Sequence, residues 1–397
     1  MNNKKYITQS TLYSMAQLLV SGSVIQTFLF ENNISESRIT LYLSVLQAVQ
    51  VAVMLIVSLI IDRIENIVKA MAYSIGLQIF MFFPLIYFSA FTEYTVSFKY
   101  VVIFIFSIAV NIVQAVYNVV SYKAPFHIID MSEYGVITGK IGVALGIGGI
   151  SLSAVMSYFT AQYDYNFIML LFFCVGFVLL TTAFLLAISY KTVGDFKRDK
   201  EKTKVQNLFK YKPFSCLIIP NILRGFSVGI LSVAVTLGYL SGIADKSSGA
   251  FMALLLQISG VIGCFVFTCI TKKNNEGKII ILSSVMLVFT MPFMLVGNSF
   301  VIFYIMYFLA NFFVNFINYA VPVAIARVID YDCIGQYSSW RMLLHTLGIS
   351  ISSALAIPMY NFFGGIGTLI IAALCQLLSG TAYFIFLNSI KKCSANE

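Results

Sequence analysis

The chain has 397 residues, of which 59% are hydrophobic and 10% charged, with a formal net charge of +9. A mean hydropathy of +0.90 lies far outside the soluble range, so a water-soluble globular domain is excluded and an integral membrane protein is expected. The seven Cys and two His, His127 and His345, offer no metal-ligand spacing, disulfide framework or catalytic triad, so no cofactor, no metal and no enzymatic chemistry are expected.

Apolar stretches of about 20 residues are needed to cross a hydrocarbon core of roughly 30 Å. Twelve are found, at 10–30, 40–61, 67–90, 99–122, 141–160, 166–190, 214–240, 248–270, 279–297, 300–322, 342–361 and 366–388. Runs this apolar must satisfy their own backbone hydrogen bonds and are expected to be helices. The first follows Lys4 and Lys5, is too long for a signal-peptide core, and holds Gln17 and Gln26. The second carries Ser44, Gln47 and Gln50 on one helical face and runs into the loop "SLIIDRIENIVK", with Asp62 and Arg63. The fourth carries Asn111, Gln114 and Asn118 at helical spacing, and is followed by the acidic island "IIDMSEYG", with Asp130 and Glu133. The fifth opens on "GVALGIGG", a run inside a span that reads as close helix packing through Gly142 and Gly146 rather than as a phosphate loop.

After the sixth span comes the longest polar segment, "KTVGDFKRDKEKTKVQNLFKYKP", residues 191–213. It divides the chain into a six-helix unit at 1–190 and a second at 214–397. The seventh span holds Asn221 and Arg224, the eighth Gln257, the tenth Asn311, Asn315 and Asn318, and the twelfth Gln376. Between the tenth and eleventh spans, "VIDYDCIG" repeats the earlier acidic island: Asp330 and Gly335 follow Asp130 and Gly135 by 200 residues, as Asn311 and Asn318 follow Asn111 and Asn118. Such an offset marks an internal duplication. The expected fold is therefore all-α, twelve transmembrane helices in two pseudo-symmetric six-helix bundles.

Of the 25 Lys and Arg, 21 fall on one side when the loops alternate between two sides, and Arg38, Lys99 and Lys246 on the other. The positive-inside rule then puts both termini in the cytoplasm of a multi-pass cell-membrane protein. The basic loops serve this topology, and no nucleic-acid partner is expected.

Twelve spans, a doubled six-helix unit, a basic central loop and cytoplasmic termini resemble the major facilitator superfamily. Its loop motif after the second span, G-x-x-x-D-R-x-G-R-[RK], is matched here at Asp62 and Arg63, while Ser58, Glu65 and Asn66 stand in place of Gly, Gly and Arg. "VIDYDCIG" followed by Trp340 and Arg341 is similar to the D-x-x-D-Y segment of the glycoside, pentoside and hexuronide cation symporters. Those carry two carboxylates on the second span, where this chain has Gln50 and Met54. The resemblance implies alternating access by a monomer, with a small-molecule substrate bound between the repeats.

All sixteen acidic residues fall in loops, termini or span ends, whereas ion coupling usually needs an ionisable group inside the bundle. Facilitated diffusion is the first expectation. Coupling to a proton through a span-end residue such as Glu31, or to sodium held by amide and backbone oxygens, is the second. The candidate substrate cavity comprises Gln17, Gln26, Gln47, Gln50, Asn111, Gln114, Asn118, Asn221, Arg224, Gln257, Asn311, Asn315, Asn318 and Gln376. Their amides suit a neutral solute such as a sugar or nucleoside, or else bond helix to helix for about 0.6 kcal/mol each. Arg224 either holds an anionic or hydroxyl-rich substrate or is structural, snorkelling to the cytoplasmic edge or binding helix ends and loop carboxylates. A cytoplasmic gate is expected from Asp62, Arg63, Asp130, Glu133, Asp330, Asp332 and Arg341, whose exposed pairs contribute about 0–1 kcal/mol each. Two alternatives stay open: an exporter of amphipathic compounds, and a non-transporting receptor or lipid-handling protein on the same fold.

Overall fold

The computed structural model describes residues 2–20, 22–60, 64, 66–91, 93–121, 124, 128, 134–190, 216–245, 247–270, 275–326 and 334–394. Among these every regular element is helical. In chain order they are α1 (Asn2–Val20), α2 (Gly22–Glu31), α3 (Glu36–Ile60), α4 (Ile67–Gln78), α5 (Phe82–Ala90), α6 (Val96–Val120), α7 (Tyr134–Gln162) and α8 (Tyr165–Ile188). Then follow α9 (Ile218–Ser232), α10 (Ala234–Leu240), α11 (Ser248–Ile270), α12 (Glu276–Phe293), α13 (Phe300–Ala326) and α14 (Ile334–Ser394).

Among the described residues, ten helices are long and apolar enough to cross a membrane, or eleven if α9 and α10, bent by 47°, form one span. The difference from twelve lies in α14. Its apolar part, Trp340–Asn388, has 49 residues, about 70 Å of helix at the usual rise. That is more than twice a core of roughly 30 Å. Inside it Gly364 leaves the helical region at φ 70° and ψ 173°, a conformation open to Gly because it lacks a Cβ. The break falls between the expected spans 342–361 and 366–388.

The chain divides into two compact units, Met1–Lys202 with Asp245–Leu254, and Thr203–Ala244 with Leu255–Glu397. The first turns of α11 thus count with the first unit, where Ser23 donates to the Gly249 carbonyl at 2.8 Å. The linker expected at 191–213 lies outside the described residues.

In the first unit α1 packs on α7 and α8, α3 on α6, α4 on α6 and α8, and α5 on α8. Aromatic side chains fill its middle: Phe28, Phe82, Phe88 and Phe173 are fully buried, with Phe28 and Phe173 edge to face at 5.1 Å. Helix α6 shows why the run is amphipathic in a membrane sense. Val101 and Ile105 point outward, while Ile103, Ser107 and Ala115 are buried. Helix starts are set by side-chain caps, which satisfy otherwise orphaned N–H groups: the Asp164 carboxylate accepts from Phe167 N at 2.8 Å and Asn66 from Lys69 N at 3.0 Å.

The second unit is built on α9 lying along α14, with α12 against both α13 and α14. Gly225 and Gly229 let the two backbones touch: a Cβ at Gly225 would overlap the His345 carbonyl, and one at Gly348 would overlap the Ile222 carbonyl. This is the small-xxx-small contact that brings membrane helices close. The expectation for α7 is corrected at Gly142, while Gly146 is buried. No described atom lies within 4 Å of a Cβ built at Gly142, whereas one built at Gly148 would meet Met15 Sδ at 2.8 Å. At 3.6 residues per turn Gly142 and Gly148 lie about 120° apart around the helix, so they face different surroundings.

Candidate functional site

In the first unit α1, α2, α3 and α6 enclose a hollow of about 150 Å³. Its wall includes Gln17, Gln47, Gln50, Asn111 and Gln114, together with Tyr42, Ser107 and Met81. Val20, Ile25, Leu43, Leu46 and Val110 complete an apolar side. The polar face follows from spacing, since Gln47 and Gln50 lie one turn apart on α3, and Asn111 and Gln114 one turn apart on α6. Among the described residues, none that lines it is charged.

Some of these groups are fixed by one another. Gln17 Nε2 donates to Gln78 Oε1 at 2.9 Å, and Tyr13 OH donates to the same oxygen at 3.0 Å. Gln78 in turn donates to the Ser74 carbonyl at 2.9 Å, and Gln114 Nε2 to Gln17 Oε1 at 3.3 Å. Across the hollow, Tyr42 OH and Ser107 Oγ are 2.8 Å apart. Ser107 donates to Met81 Sδ at 3.4 Å, so its oxygen is left to accept from Tyr42. Gln47, Gln50 and Asn111, by contrast, make no hydrogen bond to any described residue, and Asn111 Oδ1 is buried in that condition. A buried acceptor without a donor costs about 1–3 kcal/mol, which is recovered when a ligand or water supplies one.

Of the six candidate amides of the second unit, Gln257 makes no hydrogen bond to any described residue, and the other five are spent on the protein. Asn221 Nδ2 donates to the Leu217 carbonyl at 2.7 Å and its Oδ1 accepts from Tyr383 OH at 2.7 Å. Asn311 donates to the Tyr307 carbonyl at 2.9 Å, Asn315 to Ser259 Oγ at 3.4 Å, and Gln376 to Ser284 Oγ at 3.3 Å. Arg224 is only 4% exposed and donates through Nη2 to Asn318 Oδ1. It is not snorkelling to an interface; its guanidinium is held inside the unit.

The structure therefore brings Gln17, Gln47, Gln50, Asn111 and Gln114 to one hollow. Gln26 is buried on α2 and Asn118 half-buried on α6, both outside its lining. Gln257 is half-buried on α11. Of the gate residues, Arg341 lies half-buried on α14, while Asp62, Arg63, Asp130, Glu133, Asp330 and Asp332 fall outside the described residues. Gln78, Tyr13, Tyr42 and Ser107 join the site without having been expected from the sequence. Gln78 carries a usable signal, a lone amide inside the third apolar run; the hydroxyls carry none, because Tyr and Ser occur throughout such helices.

Residues 8–353 match the family model described as Major Facilitator Superfamily. No curated protein matches the sequence. Among solved structures, the nucleoside transporter NupG is similar with a TM-score of 0.72 at 14% identity, covering 97% of this chain and 100% of the other. The D-xylose-proton symporter gives 0.72 at 12% identity, with 97% of each chain covered. A bacterial homolog of the human lysosomal transporter Spinster gives 0.71 at 12% identity, covering 98% and 97%. Identities this low establish a shared fold and no more. With the family model spanning most of its length and helices that repeatedly reach membrane-crossing dimensions, this chain belongs to the major facilitator superfamily, a multi-pass helical membrane protein with a transporter fold.

Proposed function

We propose that the protein moves a small, uncharged, polar solute across the cell membrane by alternating access, with both termini cytoplasmic and as a monomer. The observation that carries this reading is the trio Gln47, Gln50 and Asn111, three carboxamides facing one hollow with no bond to any described residue. Each carboxamide offers two donors and an acceptor. Together they match a ligand whose hydroxyl or ring-nitrogen groups alternate between giving and taking protons, as in a sugar or nucleoside. The uncharged wall favours a neutral solute, because an ion there would be desolvated without a counter-charge. Facilitated diffusion, or weak coupling to a proton or sodium, agrees with a lining that has no carboxylate among the described residues.

The apolar side formed by Ile25, Leu43, Leu46 and Val110 favours a second reading, export of an amphipathic compound. Proteoliposome assays separate the two. Equilibration of labelled sugars or nucleosides, slowed at least about tenfold in Asn111→Leu or Gln47→Leu by loss of a bond worth about 1.4 kcal/mol, supports the first. Gradient-driven efflux of an amphipathic dye with no uptake of polar solutes replaces it by the second. Failure of both under every gradient rejects transport by this hollow.

A further inference from the structure

The hydrogen bonds behind the hollow of the first unit form a row with a direction. It starts on α4, where Gln78 Nε2 donates to the Ser74 carbonyl at 2.9 Å. A backbone carbonyl accepts and cannot donate, so the Gln78 amide has one orientation and its Oε1 is the end left for other partners. That oxygen takes Gln17 Nε2 at 2.9 Å and Tyr13 OH at 3.0 Å. Gln17 is oriented in turn, with its own Oε1 accepting from Gln114 Nε2 at 3.3 Å. The row ends at Gln114 Oε1, which makes no hydrogen bond to any described residue and belongs to a side chain that lines the hollow.

Turning any one of these amides end for end would set oxygen against oxygen or N–H against N–H at the next contact, a mismatch that a low-dielectric interior does not screen. The direction fixed at Ser74 therefore arrives at the hollow as an acceptor. Asn111, one turn before Gln114 on α6, likewise holds Oδ1 buried and without a donor among the described residues. On α3, Gln47 and Gln50 line the same hollow with no such constraint, and each can present either end of its amide. One wall is polarised and the other adapts.

Resting on the neutral-solute reading above, we infer that Gln78 is a positioning residue that fixes Gln114, through Gln17, as a hydrogen-bond acceptor, so that the hollow selects solutes presenting an O–H or N–H donor to the α6 wall. A sugar hydroxyl or a nucleoside N–H meets this demand. An ether oxygen or a fluorine at the same place does not, because it leaves two acceptors facing each other.

The test is a thermal-shift titration of the purified full-length protein with D-glucose, D-ribose and uridine, since a ligand of the native state raises Tm saturably. The solute with the largest rise is then compared with analogues in which one hydroxyl at a time is replaced by fluorine, close to a hydroxyl in size but unable to donate. At one position or more the replacement is expected to weaken the apparent affinity about tenfold, the scale of a lost hydrogen bond. In Gln78→Met, where Gln17 and Gln114 are free to turn, that penalty is expected to fall below about threefold. In Tyr13→Phe it is expected to persist, because one donor to Gln78 is gone but the Ser74 carbonyl still orients the amide. Both variants lose buried bonds, so a merely structural role would move them together. Should Gln78→Met not fold, Gln17→Met releases Gln114 directly from a half-buried position and takes its place. No position sensitive to fluorine, a penalty unchanged in the released variant, or one lost equally in Tyr13→Phe overturns the inference and leaves the neutral-solute reading standing. A panel without any saturable rise rejects that reading, and the inference with it.

Discussion

Asn111 and Asn311 stand 200 residues apart in a duplicated chain, on α6 of the first unit and α13 of the second. Asn311 donates to the Tyr307 carbonyl one turn earlier in its own helix. Asn111 faces a hollow with its Oδ1 buried and unbonded among the described residues. The neighbours differ in the same way: Gln47 and Gln50 are uncommitted, whereas Asn221, Asn315, Asn318 and Gln376 each bond another side chain. Asn111 and Asn311, at matching positions of the 200-residue offset, thus do different work. The first unit keeps Gln47, Gln50 and Asn111 in reserve beside the bonded Gln17 and Gln114, and the second, Gln257 apart, commits its candidate amides to the protein.

The largest expected effect tests how rigid the second unit is. Gly225→Ala places a methyl group on the His345 carbonyl, and backbone cannot step aside as a flexible side chain can. Overpacking costs typically about 1–3 kcal/mol and sometimes more, so the variant is expected to lose its folded, monodisperse form or show the steepest fall in Tm. Next is Tyr383→Phe, which removes the donor to Asn221 Oδ1. A buried acceptor left without its partner costs about 1–3 kcal/mol, and the drop in Tm is expected with no change in neutral-solute affinity. Asn111→Leu should do the reverse, holding or raising Tm while slowing solute equilibration. A marked loss of stability there would show that Asn111 is a cross-tie after all and would erase the contrast. The smallest effect belongs to Gly142→Ala on α7, where no described atom lies within 4 Å of the new methyl. Helix propensity favours Ala by up to about 1 kcal/mol, so Tm is expected to stay level or rise slightly.

The apolar spans are legible in the sequence because length and the lack of charge are enough to require a helix in lipid. Their number is less legible at α14, where a single Gly364 with positive φ separates two stretches that composition alone treats as distinct. The polar stripes on α3 and α6 are legible for the same kind of reason, since a period of 3.6 residues places Gln47 with Gln50, and Asn111 with Gln114, on one face. What period cannot tell is what that face meets. Asn118 belongs to the same stripe as Asn111 and Gln114, yet it lies outside the hollow's lining, because a cavity has a depth and a stripe does not. Nor does the sequence reveal that Arg224 finds Asn318: the two are 94 residues apart, and their meeting depends on how α9 and α13 pack.

The 47° bend between α9 and α10 lies immediately beyond the glycine crossing. On one side of Val233 the segment is clamped to α14 by Gly225 and Gly229; on the other, Gly238 packs against Phe303 and Ala244. An elbow placed next to a clamp lets the short arm swing through a few main-chain torsions while the long arm stays in register. Whatever displaces Ala234–Leu240 is therefore transmitted to the rest of this unit as a change of angle at a single joint, with no need for the long arm to slide.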